Sequence, residues 1–367
     1  MKRPDFLSVA VPGVQKLRPY EPGKPIAELQ REFGIDDIIK LASNENPLGP
    51  SPKALAAAQA ELAGLALYPD GNGFALKRAL ADKHRIDTSC ITLGSGSDHI
   101  LELIARAFLA PGRSAVMSQY AFAIYAIVSQ AAGAELRVAP AKDFGHDLEA
   151  VGALVSADTR VVFLANPNNP TGTWFDQDAL AGLLATAPPD VLVVVDEAYF
   201  EYVDEPSYPD SRALLDAHPN LVVMRTFSKA YGLAGLRVGY ALAHPVVTDL
   251  LNRVRLSFNP NSVAQAAATA ALTDTEHVAR TVEMNRTERA RVDAGLRKLG
   301  LTTIPSVCNF VTADVGKPGR EVFQALLAEG VIVRPLDGYG MPNHLRISIG
   351  MPTENDRMLE ALRKVLG

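Results

Sequence analysis

Short apolar, β-branched runs alternate with amphipathic segments from Leu41 onward. This alternation is typical of parallel strands that are joined by crossover helices. The run VLVVV at 191–195 is apolar without interruption, as expected of a strand covered on both faces. The pattern predicts strands at Ser114–Ser118, Glu135–Ala139, Arg160–Ala165, Val191–Asp196, Leu221–Thr226 and Val238–Leu242.

The pattern changes toward the end of the chain. Helical periodicity dominates residues 245–299, and the polar, arginine-rich stretch 276–298 predicts a long helix that links two domains. Shorter alternating segments follow Gly300 and predict a smaller α+β domain. Its predicted strands are Asn309–Ala313, Val331–Arg334 and Leu345–Ile349, and its predicted helices cover 319–329 and 353–366.

These elements predict an α/β protein: a large domain with a mostly parallel central sheet flanked by helices, plus the smaller α+β domain. A chain of 367 residues with 48% apolar composition is too long for a single compact core. Residues 1–40 contain several prolines and one helix-like stretch, Ile26–Phe33, which is typical of an arm that docks elsewhere. The predicted division is 1–40 for an arm that packs with the small domain, 41–275 for the large domain and 276–367 for the small domain.

The composition of the chain limits the kinds of molecule that it is expected to bind. Lys and Arg number 36 against 41 Asp and Glu, a net charge of -5 without a basic stretch, so neither nucleic acid nor an anionic membrane is expected. No run approaches the ~20 apolar residues that span a bilayer. Cys90 and Cys308 lie far apart and predict neither a disulfide framework nor a metal site. Asp5 and Pro12 interrupt the apolar run at the start, so we expect no signal peptide and a cytoplasmic protein.

A glycine-rich turn follows the strand predicted at 221–226, in the segment TFSKAYGLAGLRVG. Ligands bind at the carboxyl ends of strands in α/β sheets. A lysine such as Lys229 becomes a nucleophile toward an aldehyde when its surroundings lower its pKa, and enzymes that use pyridoxal 5'-phosphate (PLP) carry the cofactor as a Schiff base on such a lysine. Ser228 and Arg237 would then hold the cofactor phosphate. The alternative is a solvated lysine beside a helix-capping serine.

Two carboxylates end a buried strand in the segment VLVVVDEAYFEY at 191–202. A carboxylate that faces a pyridine nitrogen keeps the ring protonated and makes it an electron sink. Asp196, at the end of the strand, is predicted to take this role, and Tyr199 to reach the phenolic oxygen of the cofactor. The alternative is a strand that ends in solvated acids.

Two further turns supply candidate cofactor ligands. In FLANPNNPTGTW at 163–174, a proline-stiffened turn places Asn169 to hydrogen-bond the same phenolic oxygen. In ITLGSGSDHILELIARAF at 91–108, a glycine-rich turn opens a helix whose free amides can bind an anion. Ser97 and Asp98 at the start of this helix would meet the cofactor phosphate, although N-capping explains both residues as well.

In this order and spacing, the segments resemble the fold-type I PLP-dependent aminotransferases, and the chain as a whole resembles the histidinol-phosphate aminotransferase family. The resemblance runs from LASNENPLGPSP at 41–52, through YPDGNG at 68–73 and YAFAIY at 120–125, to HLRISIG at 344–350. It implies PLP as cofactor and a ping-pong reaction of histidine biosynthesis. An amino group would move between L-histidinol phosphate and 2-oxoglutarate, giving imidazole acetol phosphate and glutamate.

The resemblance also implies roles for residues around the cofactor. Lys229 would form the Schiff base and move the proton between the substrate and the cofactor. Phe122 would stack on the cofactor ring, because it stands three residues before Tyr125 as the stacking aromatic does in this family; core packing is the alternative. Members of the family are homodimers in which a tyrosine reaches the partner's cofactor phosphate, and Tyr68 matches that position.

Substrate recognition is implied by residues outside the cofactor segments. The family binds an acidic group through arginines of the small domain, and Arg346 and Arg334 match those positions. Tyr20 of the arm matches a further contact. Because the planar fork of arginine suits carboxylate and phosphate alike, one clamp would serve glutamate and histidinol phosphate.

The sequence leaves two other enzyme functions open and disfavours a third, non-catalytic one. Related branches of the family transaminate aromatic amino acids or decarboxylate threonine phosphate, and the sequence does not rank histidinol phosphate against phenylalanine and tyrosine. A non-catalytic sensor with this fold would need a DNA-reading module, and the arm before residue 41 is too short for a helix-turn-helix with its own core.

Overall fold

A seven-stranded mixed sheet forms the centre of the larger part of the molecule. The computed structural model describes residues 5–367. In chain order the strands are β1 (Ile91–Gly94), β2 (Ser114–Ser118), β3 (Glu135–Ala139), β4 (Thr159–Ala165), β5 (Leu192–Asp196), β6 (Leu221–Thr226) and β7 (Gly239–Ala243). Their order across the sheet is β1-β7-β6-β5-β4-β2-β3.

The sheet is buried on both faces, as its apolar runs predicted. In β4, Val162 and Leu164 enter the core on one face, whereas Val161 and Phe163 enter the core on the other. Side chains alternate along a strand, so a strand covered on both sides needs apolar residues at every position. The predicted mostly parallel sheet is confirmed, with β7 as the antiparallel exception.

The antiparallel strand brings distant loops together. Since β7 runs against both neighbours, the residues that precede it lie at the sheet edge where β1 and β6 end. Gly239 at the start of β7 pairs with Gly94 at the end of β1 and with Thr226 at the end of β6. Three chain segments therefore meet at the edge where an α/β sheet binds its ligands.

Helices cover the sheet and continue into the C-terminal part. The helix of 275–298 follows the stretch predicted at 276–298. Among residues 5–367, none of the helices has the length and apolar character to cross a bilayer. The α-helices are Phe6–Val9, Pro12–Gln15, Ile26–Phe33, Pro52–Glu61, Phe74–His84, Ser97–Phe108, Ala123–Ala131, Leu148–Ala153, Gln177–Thr186, Pro245–Val254, Ser262–Leu272, Thr275–Lys298, Gly319–Ala328 and Pro352–Leu366.

A second sheet has its own apolar core in the C-terminal part. Its antiparallel strands are β8 (Thr302–Ile304), β9 (Phe310–Asp314), β10 (Arg334–Pro335) and β11 (His344–Ser348), in the order β8-β9-β11-β10. Leu29 and Leu41 pack into this core, so the segment between them packs against the small sheet. Ile39–Lys40 also pairs in parallel with Val331–Ile332. The earlier part of the arm packs elsewhere, because its helix Pro12–Gln15 contacts the helix Ala123–Ala131 of the larger part of the molecule.

Two strands of the main sheets were not predicted, and neither were the two-residue strands Ile39–Lys40, Ala141–Lys142 and Gly145–His146. Ile91–Gly94 and Thr302–Ile304 are too short, at four and three residues, to show an alternating pattern. The segment predicted as the strand Val331–Arg334 is interrupted, because Val331–Ile332 and Arg334–Pro335 pair with different partners.

Candidate active site

A cavity of about 250 Å³ opens where the ends of β5 and β6 face the small sheet. Every candidate site residue from the sequence lines it, except Tyr68. The lining includes Tyr20, Ser97, Asp98, Phe122, Asn169, Asp196, Tyr199, Ser228, Lys229, Arg237, Arg334 and Arg346. Tyr68 is 81% exposed and stacks on Phe258 instead, with ring centroids 4.4 Å apart.

Arg237 and a helix N-terminus lie together at one end of the cavity. Arg237 lies beside Ser228 and Asp98, with Nη1 3.4 Å from the Ser228 hydroxyl and Nη2 3.5 Å from the Asp98 carboxylate. Ser97 begins the helix whose free backbone amides point at this end. Position 96 favours glycine because its φ is 87°, in the region that other residues rarely adopt, and a Cβ there would also meet the guanidinium of Arg237.

Asp196 presents an unused acceptor to the cavity. It ends β5 and is 6% exposed. The hydroxyl of Tyr125 donates to Oδ2 at 3.0 Å, whereas Oδ1 is buried and finds no hydrogen-bond partner within residues 5–367. Burial raises the pKa of Asp196 to about 7. A buried orphan acceptor is costly, so this oxygen is suited to receive a proton-bearing ligand atom.

Lys229 follows β6, and its surroundings lower the pKa of its amine. Its Nζ donates to the carbonyl of Ser43 at 3.2 Å and lies 5.6 Å from the ring centroid of Tyr199. Burial, together with the charge of Arg346, lowers the pKa of Lys229 to about 8. A lysine with a lowered pKa supplies the unprotonated nitrogen that attacks an aldehyde.

The small sheet contributes the cationic wall. Arg346 on β11 is 5% exposed, and its guanidinium donates to Oδ1 of Asn169 at 2.5 Å and to the carbonyl of Ala42 at 2.6 Å. Arg334 on β10 is register-paired with Arg346, and its guanidinium lies 5.6 Å from the ring centroid of Tyr20. Two arginines on adjacent strands thus face one cavity.

Aromatic side chains border the remaining wall. Phe122 precedes the helix Ala123–Ala131 and lies edge-on to both Tyr125 and Tyr20, with centroids at 5.8 Å and 6.4 Å. Phe122 therefore lies in the cavity wall, next to the helix Ala123–Ala131.

Sequence reasoning missed two site residues. Tyr125 supports Asp196, and Asn44 donates to the Tyr199 hydroxyl at 2.8 Å. Both residues lie in segments that carried the family resemblance, YAFAIY and LASNENPLGPSP, but neither received a role. Tyr125 had one usable signal, its position one helical turn beyond Phe122.

The fold and the cavity define an aminotransferase of class I and II, and residues 36–362 match the family of that description. A histidinol-phosphate aminotransferase of Pseudomonas aeruginosa is 60% identical over 364 residues, 99% of each chain. One of Pseudomonas fluorescens is 59% identical over 99% of this chain and 98% of its own. The crystal structure of histidinol-phosphate aminotransferase from Sinorhizobium meliloti in complex with PLP has a TM-score of 0.89 at 31% identity, covering 97% of both chains. The chain belongs to the histidinol-phosphate aminotransferase family within this class.

These comparisons confirm the predicted family, the fold class, the aminotransferase activity and PLP as the cofactor. The cavity fits that cofactor. The free Oδ1 of Asp196 suits a pyridinium N–H, and the site around Arg237 suits a phosphate. The roles of individual residues remain predictions from the sequence.

Proposed function

We propose that this chain transfers an amino group between L-histidinol phosphate and 2-oxoglutarate, with PLP bound to Lys229. The observation that carries the substrate assignment is the pair Arg334 and Arg346, which places two cations at one end of the cavity. A phosphate offers three oxygens and nearly two charges, so it can use both arginines, whereas a carboxylate needs one. The names of relatives at 59% and 60% identity support the same substrate.

The remaining cavity residues would hold and orient the cofactor. The Asp196 carboxylate would pair with the ring nitrogen, Tyr199 and Asn169 would donate to the phenolic oxygen, and Phe122 would stack on the ring. Ser97, Asp98, Ser228 and Arg237 would form the phosphate site. When bound, PLP supplies an electron-withdrawing ring that accepts electrons from the substrate carbon as it loses its proton.

Lys229 and Arg346 would act on the substrate. Once the substrate amine had replaced Lys229 on the cofactor, the freed Lys229 amine would take the proton from the substrate α-carbon and return it at the adjacent cofactor carbon. The pKa near 8 of the free amine suits it to accept and release a proton at neutral pH. Arg346 would hold the acidic end of either substrate, and Tyr20 of the arm, which lies beside Arg334, would make a further contact with the substrate.

Steady-state kinetics on competing amino donors test this function. With 2-oxoglutarate as acceptor, we expect kcat/KM for histidinol phosphate to exceed that for phenylalanine and tyrosine by roughly tenfold or more, because a charge-assisted contact contributes on the order of 1.5–3 kcal/mol. A preference for phenylalanine or tyrosine would instead support an aromatic amino acid transaminase. Release of carbon dioxide from threonine phosphate would support the decarboxylase.

We also propose that the active chain is a homodimer that shares its sites. Tyr68 is largely exposed and does not line the cavity of its own chain. Exposed apolar residues flank it along the chain, namely Leu65, Leu67 and Phe74. Tyr68 also stacks on the partly exposed Phe258, which follows the exposed Leu256 by two positions. A surface of this kind is typical of an interface between subunits. The partner subunit would receive Tyr68 at its cofactor phosphate.

A complementation experiment tests the sharing. Lys229→Ala and Tyr68→Phe proteins are each expected to have low activity, and mixing them should restore part of it, because one site of the heterodimer receives both intact residues. Activity after subunit exchange is the measurement. Demonstrated heterodimers without any recovery would contradict the shared site, and Phe74→Ala, which leaves both residues in place, serves as the control for damage to the surface.

The predicted division into the arm 1–40, the large domain 41–275 and the small domain 276–367 enters the proposal as well. The separate apolar cores of the two sheets support it. Residues 1–4 of the arm lie outside the described residues. The cytoplasmic location stays a prediction from the sequence.

A further inference from the structure

Asn44 is held in an unusual backbone conformation at the border between the two sheets. It is 1% exposed and has a φ of 56°, in the left-handed region that asparagine tolerates better than most residues. Its segment follows Leu41, which packs into the core of the small sheet. The position is therefore fixed by packing on one side and open to the cavity on the other.

Three hydrogen bonds define the orientation of the Asn44 side chain. The backbone N–H of Asn44 donates to the Ser348 hydroxyl at 2.8 Å, and this hydroxyl donates to Oδ1 of Asn44 at 2.8 Å. Nδ2 of Asn44 then donates to the Tyr199 hydroxyl at 2.8 Å. A reversed amide would place two donors on the Ser348 oxygen and leave the Ser348 proton without Oδ1 as its acceptor.

Because the Tyr199 hydroxyl accepts a hydrogen bond from Asn44, its own proton is free to be donated to another group. Its oxygen already accepts from Asn44, and we find no protein acceptor for the Tyr199 proton within residues 5–367. Tyr199 is 3% exposed and lines the cavity, so a ligand in the cavity is better placed than bulk water to accept this proton. A buried donor without a partner is destabilising, which indicates that a ligand atom completes the bond.

We propose that Asn44 is a positioning residue: held by Ser348, it directs the phenol proton of Tyr199 toward the ring oxygen of the cofactor. This inference rests on the proposed function, since it requires PLP on Lys229. A hydrogen bond received by the phenol oxygen also makes the phenol a stronger donor, because hydrogen bonds in a chain polarise one another.

The same chain of bonds links the cofactor to the substrate clamp. Ser348 lies two residues after Arg346 on β11, so both side chains project from the same face of the strand. Arg346 binds the carbonyl of Ala42, two residues before Asn44. The position of β11 therefore affects both ends of the site. It orients Arg346 toward the substrate and, through Ser348 and Asn44, the phenol of Tyr199 toward the cofactor.

The spectrum of the bound cofactor tests the role of Asn44. Donors to the ring oxygen stabilise its negative charge, so a weakened donor raises the pKa at which the absorbance of the Lys229-bound cofactor changes. We expect Tyr199→Phe to raise this pKa by about one to two units. Asn44→Gly, which keeps the left-handed backbone accessible, should raise it by roughly 0.3 to 0.6 units, and Ser348→Ala should shift it in the same direction.

Two further proteins separate positioning from a general structural role. If Asn44 acts through Tyr199, the double variant Asn44→Gly/Tyr199→Phe should titrate like Tyr199→Phe alone. Asn355→Ser is the control, because this asparagine is equally buried but bonds to Glu288 and Gly350, away from the cavity. It should lower the unfolding temperature without moving the spectral pKa. The other titratable groups around Tyr199 are the same in all these proteins; they are Lys229, Asp196, Arg346 and Cys308.

The outcomes are distinct. Unchanged spectral pKa values in both Asn44→Gly and Ser348→Ala would overturn the inference, as would shifts that add in the double variant. A wild-type protein without a pH-dependent band of Lys229-bound cofactor would instead contradict the proposed function itself.

Discussion

Replacing Lys229 with alanine is expected to remove the absorbance band of the covalently bound cofactor and to lower the rate of transamination by roughly 10⁴-fold. The variant loses both the nitrogen that binds the cofactor and the base that moves the substrate proton. The position of Lys229 after β6, and the pKa near 8 that burial and Arg346 give it, distinguish it from an ordinary surface lysine. Absorbance spectra and single-turnover rates measure the two losses.

A hydrogen-bonded lysine outside the cavity provides the control. Lys83 donates to the Tyr231 hydroxyl at 2.8 Å and does not line the cavity, so Lys83→Met should keep the colour of the wild-type protein. Borohydride reduction followed by peptide mapping identifies the modified residue directly. Cofactor fixed to Lys83, or to any lysine other than Lys229, would show that the proposed attachment site is wrong.

The two arginines of the cavity are expected to differ in their effects on the two half-reactions. Arg346→Ala should lower kcat/KM with glutamate and with histidinol phosphate alike, each by roughly tenfold to a hundredfold, because both substrates place an anion at this end of the site. Its effect includes the loss of the bonds to Asn169 and Ala42. Arg334→Ala should affect the histidinol phosphate half-reaction distinctly more, since only the phosphate can use the second cation.

Single-turnover absorbance measurements follow each half-reaction separately. Arg320→Ala is the matched control, because Arg320 lies on a helix that packs against β10 and β11 but pairs with Asp337 at 2.8 Å and does not line the cavity. It should leave both half-reactions unchanged. Arg334→Lys should restore part of the loss, as it returns the charge without the planar fork. Equal losses for both substrates in Arg334→Ala would remove the structural argument for histidinol phosphate.

The sequence by itself determined the strand framework and most of the candidate site. Strands such as Leu192–Asp196 are visible because burial on both faces requires continuous apolar runs. Lys229, Asp196 and Asn169 were identifiable because each follows such a run closely, and the carboxyl ends of parallel strands meet at one edge of a sheet. The position of a residue at the end of a strand depends on its neighbours along the chain, and the sequence pattern therefore predicts it.

Only the tertiary structure decided which distant residues touch. Asn44 reaches Tyr199 across 155 positions and Ser348 across 304, and Tyr125 reaches Asp196 across 71. The antiparallel direction of β7, which brings Arg237 to the ends of β1 and β6, also has no local signal. Hydrogen-bond partners are selected by distance and angle in space, and polar side chains such as asparagine and tyrosine occur equally in turns and cores. Sequence spacing therefore cannot distinguish the residue that orients a catalytic group from one that caps a turn.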